Sequence, residues 1–170
     1  MVSKQEHCLT DLLFREKNGE LLIEIALVAS NHLEAKLIAV AQNIDFRHLP
    51  IEPDSKTAQE KSLLEEIERR EINVVVLARY MQILSPGFCQ EMAGKIINIH
   101  HSFLPGFKGG KPYHQAFEHG VKLIGATAHY VTANWTKALS SNRASNGPAI
   151  EARSLIWSTL AEISKELSSP

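Results

Sequence analysis

This chain has little cysteine, no excess of either charge and no long apolar run. Cys8 and Cys89 are its two cysteines, too few for a disulfide framework, so a reducing, cytoplasmic setting is expected. Eighteen basic residues against 19 acidic ones give a formal net charge of −1. That balance leaves nothing to hold a polyanion, so nucleic acid is not expected as a partner. The apolar runs fall well short of the roughly 20 residues that span a bilayer, and no membrane partner is expected. The opening Met1-Val2-Ser3-Lys4-Gln5-Glu6-His7 has no apolar core of a signal peptide. No internal repeat is visible. At 170 residues the chain fits one domain, and 44% hydrophobic against 22% charged residues suffices for a soluble core.

What is present is an alternation of strand and helix patterns. His7 to about Lys17 reads as a helix with Leu9, Leu12 and Leu13 on one side, closed by Asn18-Gly19. Leu21–Ala29 reads as a buried strand. A helix from about His32 to Gln42 follows, with Asn31 as its N-cap. Phe46–Leu49 is a short strand, and Lys56–Arg70 a helix with Glu and Lys on its wet side. The β-branched run Ile72–Leu77 suits a strand buried on both faces. Pro86–Met92 is a short helix capped by Ser85. Ile96–Asn98 is the next strand, His114–Gly120 a helix and Leu123–Val131 a last strand. The order predicts an α/β fold, a mostly parallel sheet with helices on both faces. Such a fold normally opens with a strand, yet only Met1–Lys4 precede the first helix, so the first strand is largely missing.

Asn98 and His100 stand where an apolar strand gives way to the loop Gly106-Phe107-Lys108-Gly109-Gly110-Lys111-Pro112. Two residues apart on a strand, they point the same way. Ligand crevices in open α/β sheets lie at the carboxyl ends of strands. An imidazole moves protons near neutral pH, and a carboxamide can donate to a developing oxyanion. The pair therefore reads as half of an acyl-transfer or hydrolysis site. The structural alternative is an Asn that caps a turn and a His that satisfies a backbone carbonyl. His101, His114, His119 and His129 add imidazoles, but no zinc spacing or paired acidic residue joins them, so no metal is expected. The glycines at 106, 109 and 110 lack the order of a phosphate-binding loop. Tyr80-Met81-Gln82-Ile83-Leu84 reads either as core or as the wall of a pocket for a flat, partly apolar ligand.

The stretches Asn98-Ile99-His100-His101-Ser102-Phe103-Leu104-Pro105, Lys111-Pro112-Tyr113-His114-Gln115-Ala116 and Gly120-Val121-Lys122-Leu123-Ile124-Gly125-Ala126-Thr127-Ala128-His129-Tyr130-Val131 resemble the formyltetrahydrofolate deformylases. These are hydrolases of the formyltransferase superfamily, and the resemblance runs from about Val2 to Thr132. It implies a Rossmann-like formyltransferase fold over 1–132. It implies cleavage of formyltetrahydrofolate to formate and tetrahydrofolate, with formate supplied to purine synthesis. The folate is then substrate, and no cofactor is expected. Asn98 and His100 match two members of the family's Asn-His-Asp catalytic set. Met81, Gln82, Ile83 and Leu84 match the loop around the pterin ring, and His129 and Val131 lie beside it. Within the superfamily the alternative is formyl transfer to an amine, as in the glycinamide ribonucleotide transformylases. Those carry a glycine-rich loop before the first helix, where this chain has Lys4-Gln5-Glu6-His7-Cys8-Leu9-Thr10. A third reading is a folate-binding remnant without catalysis.

Two departures from the family are expected to matter. The N-terminal ACT-type regulatory domain is absent, as is most of the first strand. An open inner sheet edge between Leu21–Ala29 and Ile72–Leu77 predicts association, so a homo-oligomer is expected. The tail, 133–170, resembles nothing in the family: a polar loop over Ala133–Pro148, then helical spacing over Ala149–Leu167. Its codons are informative. Read from the third base of the Ala133 codon, Asn134 and Trp135 force Leu, and Trp135 and Thr136 force Asp. The following triplets permit Glu-Gly-Pro-Ile-Ile-Glu. The family has Leu-Asp-Glu-Gly-Pro-Ile-Ile there, with the third catalytic residue as its Asp. One lost base in the Ala133 codon would leave Thr136 in the place of that Asp; a divergent tail with a fortuitous helix is the alternative.

Overall fold

The computed structural model describes residues 1–52, 54–100 and 127–131, with His100, Thr127 and His129 described by their backbone. In chain order the elements are α1 (His7–Lys17), β1 (Leu27–Ser30), α2 (Glu34–Ala41), β2 (Asp45–His48), α3 (Lys56–Arg69), β3 (Val75–Ala78), α4 (Pro86–Glu91), β4 (Ile96–His100) and β5 (Thr127–Tyr130). β1 pairs with β2 and β3 with β4 in parallel, and β5 lies antiparallel to β4. Val2 bridges the two groups, pairing in parallel with Ser30 on one side and Ala78 on the other. The sheet therefore runs β2-β1-Val2-β3-β4-β5. The chain steps outward from Val2 through β1 to β2, then returns to the other side of Val2 at β3. That reversal marks the end of the sheet where a ligand crevice forms.

Both faces of the sheet are buried, as the continuous apolar run of β3 requires. One core joins Leu9, Leu12 and Leu13 of α1 and Ala35 and Ala39 of α2 to Val2, Val28, Ala78, Ile97 and Ile99. The other joins Leu63 and Ile67 of α3 and Phe88 and Cys89 of α4 to Ala29, Val75, Leu77 and Ile96. Successive residues of β3 and β4 thus feed opposite cores, the two-residue period of a strand.

Helix boundaries follow local chemistry. Gly19 ends the first helix with φ +70°, its N–H donating to the Glu16 carbonyl at 3.0 Å. Ser85 precedes α4 in extended conformation, and its Oγ accepts from the Phe88 N–H at 3.2 Å. Arg70 anchors the end of α3, pairing with Asp45 at 2.8 Å and Glu66 at 2.9 Å. It also donates to the Ala26 carbonyl at 3.3 Å, so one guanidinium ties α3 to β2 and to the chain entering β1.

Several sequence expectations need correction. Leu21–Ala29 yields a strand only from Leu27, and Ile72–Leu77 only from Val75. The residues before each line a cavity of about 380 Å³, among them Leu22, Ile23, Ile25, Ile72 and Val74. Among the described residues no strand lies in that gap for them to pair with, whatever their β propensity. The inner edge is nevertheless not open throughout. The Val2 N–H donates to the Ala29 carbonyl at 2.9 Å, and the Met1 carbonyl accepts from the Ala78 N–H at 2.9 Å. Asn31 does not cap α2: the N-cap position falls at Leu33 and carries no side-chain cap. β4 runs on through His100, so Asn98 stands within the strand and not at its end. The helix expected at His114–Gly120, the glycine-bearing loop and the whole tail lie outside the described residues.

Phe88 is 1% exposed and sits between α3 and the sheet. Phe88→Ala is expected to cost about 3–5 kcal/mol. Ser85→Ala, which removes only a cap, is expected to cost about 1 kcal/mol. Urea unfolding followed by circular dichroism measures both, and equal losses would contradict this division.

Candidate functional site

The site is built on β4 and its two neighbours. Asn98 pairs in register with Leu77 of β3 on one side and His129 of β5 on the other. His100 is the last residue of β4 and stands opposite Thr127. Alternation puts Asn98 on the same face as Ile96, the face of the second core. Asn98 is half-buried and holds an interaction of its own. Val131 packs against that same core, and its N–H donates to the Ile96 carbonyl at 2.9 Å. The structure therefore gathers positions 98, 129 and 131 at one place and sets position 100 one step further along β4.

The chain leaving β3 supplies the apolar wall. Leu84 is buried in the second core, whereas Met81 and Ile83 are 53% and 57% exposed. Gln82 between them is half-buried. This loop was readable as core or as pocket wall, and it is split. One residue anchors it, and two large apolar side chains stand out beside the carboxyl end of β3. Exposed apolar groups in such a place suit a flat ring.

Under the loop lies a carboxylate that the sequence reading did not single out. Glu60 of α3 is 9% exposed, and its Oε1 accepts from the Ser85 N–H at 3.0 Å. Burial pushes the Tyr80 phenol up to about 12, and the Glu60 charge adds to the rise. Burial also raises the Cys89 thiol, with Glu60 adding and Lys56 opposing. The spacing of Glu60, Leu63 and Ile67 would have disclosed the burial, because all three share one helical stripe.

The end of the sheet beside Val2 carries two further polar groups that sequence reasoning missed. Asn31 is 7% exposed, and its carboxamide atoms have no hydrogen-bond partner among the described residues. Arg79 takes φ +56° directly after β3 and its Nη1 lies 3.4 Å from His7 Nε2. A left-handed arginine at the end of a buried strand is uncommon and marks this corner as locally strained. Among the described residues no three His, Cys, Asp or Glu side chains converge as a metal site would need. Nor is any helix among them long and apolar enough to cross a membrane.

This arrangement has close relatives. The formyl transferase family model matches residues 1–136. A formyltetrahydrofolate deformylase of Corynebacterium sp. (strain P-1) is 57% identical over 133 residues, 78% of this chain and 46% of that protein. The Bacillus subtilis (strain 168) protein of the same name is 48% identical over 150 residues, covering 88% of this chain and 47% of its own. The chain thus spans about half the length of the curated relatives it matches. The crystal structure of a Pseudomonas putida KT2440 formyltetrahydrofolate deformylase superposes with a TM-score of 0.83 at 40% identity, over 96% of this chain and 62% of that one. A glycinamide ribonucleotide transformylase from Symbiobacterium toebii superposes at 0.70 with 27% identity, over 97% and 82% respectively. The α/β architecture, the Val2–β3 reversal and these matches agree: the chain belongs to the formyl transferase family and has its Rossmann-like fold.

Proposed function

We propose that this chain carries the folate-binding part of a formyltetrahydrofolate deformylase, acting in the cytoplasm on a small-molecule substrate without a cofactor. The observation that carries the reading is Asn98 of β4 in register with Leu77 of β3, the strand that leads into the exposed Met81 and Ile83. Met81 and Ile83 cover the faces of the pterin ring, with Gln82 and Leu84 fixing the loop, and His129 and Val131 close its other side. In the reaction, water adds to the formyl carbon and the carbonyl oxygen becomes an oxyanion. Asn98 donates to that oxyanion. Collapse breaks the carbon–nitrogen bond, the electron pair goes to the folate nitrogen, and His100 carries a proton to it. Formate and tetrahydrofolate leave. Transfer to an amine is less favoured: the transformylase structure is 27% identical to this chain, against 57% for the Corynebacterium deformylase.

A deformylase of this kind needs a carboxylate to orient His100 and hold the water. Thr136 has none to offer, so folate binding is proposed to outlast hydrolysis in this chain. Exposed Leu37 and Val40 on α2, with Leu33 at its N-cap, support self-association.

Two measurements test the proposal. Formate release is expected to rise by about 10⁴-fold when one base is restored in the Ala133 codon, the scale on which loss of a triad acid acts. Rapid release by the unaltered chain would overturn the frameshift reading. In the restored protein, Asn98→Ala is expected to lower turnover about 10²–10³-fold with little change in folate affinity. Equal losses in both would make Asn98 a binding residue only.

A further inference from the structure

Helix α3 places a carboxylate on its apolar stripe. Glu60 stands one turn before Leu63 and two before Ile67, and all three are buried. Its Oε2 is buried and has no hydrogen-bond partner among the described residues. A charge in such a place is costly, and an apolar side chain there would continue the packing of Leu63 and Ile67 without that cost. What Glu60 holds decides its role. Its Oε1 accepts from the N–H of Ser85, the residue that ends the Tyr80–Leu84 loop.

That N–H is not one of the unpaired donors inside helix α4. Pro86 has none, and the Phe88 N–H is taken by the Ser85 Oγ. Glu60 therefore serves the chain entering the helix and not the helix itself. Ser85 is pinned from both sides, donating to α3 and accepting from α4. At its other end the loop is held by Ala78, which pairs with Ile99 and Val2. Between those two points Met81 and Ile83 are the large apolar side chains left exposed. Their separation from the sheet is set by how firmly Ser85 is held.

We infer that Glu60 is a positioning residue for folate binding: its carboxylate fixes Ser85, and through Ser85 the Met81–Ile83 wall against which the pterin ring lies. This rests on the folate reading above. A bond to a charged acceptor is among the stronger ones, and a neutral acceptor of the same shape keeps part of it.

The test uses the full chain with 5-formyltetrahydrofolate as probe, and Leu63→Ala as the reference for lost packing in the same core. Glu60→Ala is expected to weaken probe binding about tenfold and to speed amide exchange at Ser85. Glu60→Gln is expected to recover part of both. Leu63→Ala is expected to lower the melting temperature while leaving probe affinity within about twofold, because it touches packing and not the loop's anchor. Unchanged affinity and exchange in Glu60→Ala, or an equal affinity loss in Leu63→Ala, would overturn the inference. If the parent chain holds no probe, the folate reading fails instead. Ser85 exchange then decides by itself whether Glu60 anchors the loop.

Discussion

The parallel pairing of β3 with β4 is the constraint on which the rest of this structure depends. Val75, Leu77 and Ile96 face one core while Ala78, Ile97 and Ile99 face the other, so a slip of one residue would turn both layers inside out. Register is therefore fixed by burial on two sides at once. Asn98 inherits its position from that register: it stands among Ile96, Ile97 and Ile99, which are almost fully enclosed. The side chain with chemistry is held by those without any.

Placing the proposed site on β4 and its wall on the loop that leaves the neighbouring β3 divides the work. The strand gives a fixed point, as catalytic geometry demands, since small displacements of a donor cost much of its effect. The loop gives exposed apolar surface, which a rigid strand buried on both faces cannot offer. Leu84 and Ser85 join the two regimes, one by packing and one by hydrogen bonds. The buried carboxylate under the loop is a local loss in the core that is tolerated where the chain must be both exposed and fixed.

Much of this was legible in the sequence. The α1 stripe Leu9, Leu12 and Leu13, the Gly19 stop and the Ser85 cap appear as read, because each depends on a few adjacent residues. The alternation that predicts a mostly parallel sheet also holds. Strand lengths were misjudged because a strand is a relation between segments: Ile23 and Ile25 pack against the first core but, among the described residues, have no strand to pair with. Asn31 has the right type for a cap, but tertiary packing starts α2 at Glu34 and buries the carboxamide instead. Glu60 was not singled out because carboxylates are usually exposed, and the stripe it shares with Leu63 and Ile67 was the overlooked signal. For the candidate site, Asn98 was named from strand alternation and family likeness, whereas its register opposite position 129 is visible only once β5 is paired with β4. Arg79 was not, because nothing in a sequence announces a left-handed backbone at an arginine.

Among the described residues, Val2 bridges the halves of this sheet. The pair β1–β2 and the trio β3–β4–β5 are linked by backbone bonds through Val2 and its neighbouring peptide units, and both cores span the join. The sheet is thus two paired plates whose backbone join is the Val2 N–H on the Ala29 carbonyl and the Ala78 N–H on the Met1 carbonyl, with α1 and α2 packed on one face. The Val2 side chain is 2% exposed within that core, so position 2 needs an apolar residue of similar size. It is sensitive to proline, which would remove the N–H that holds the first plate.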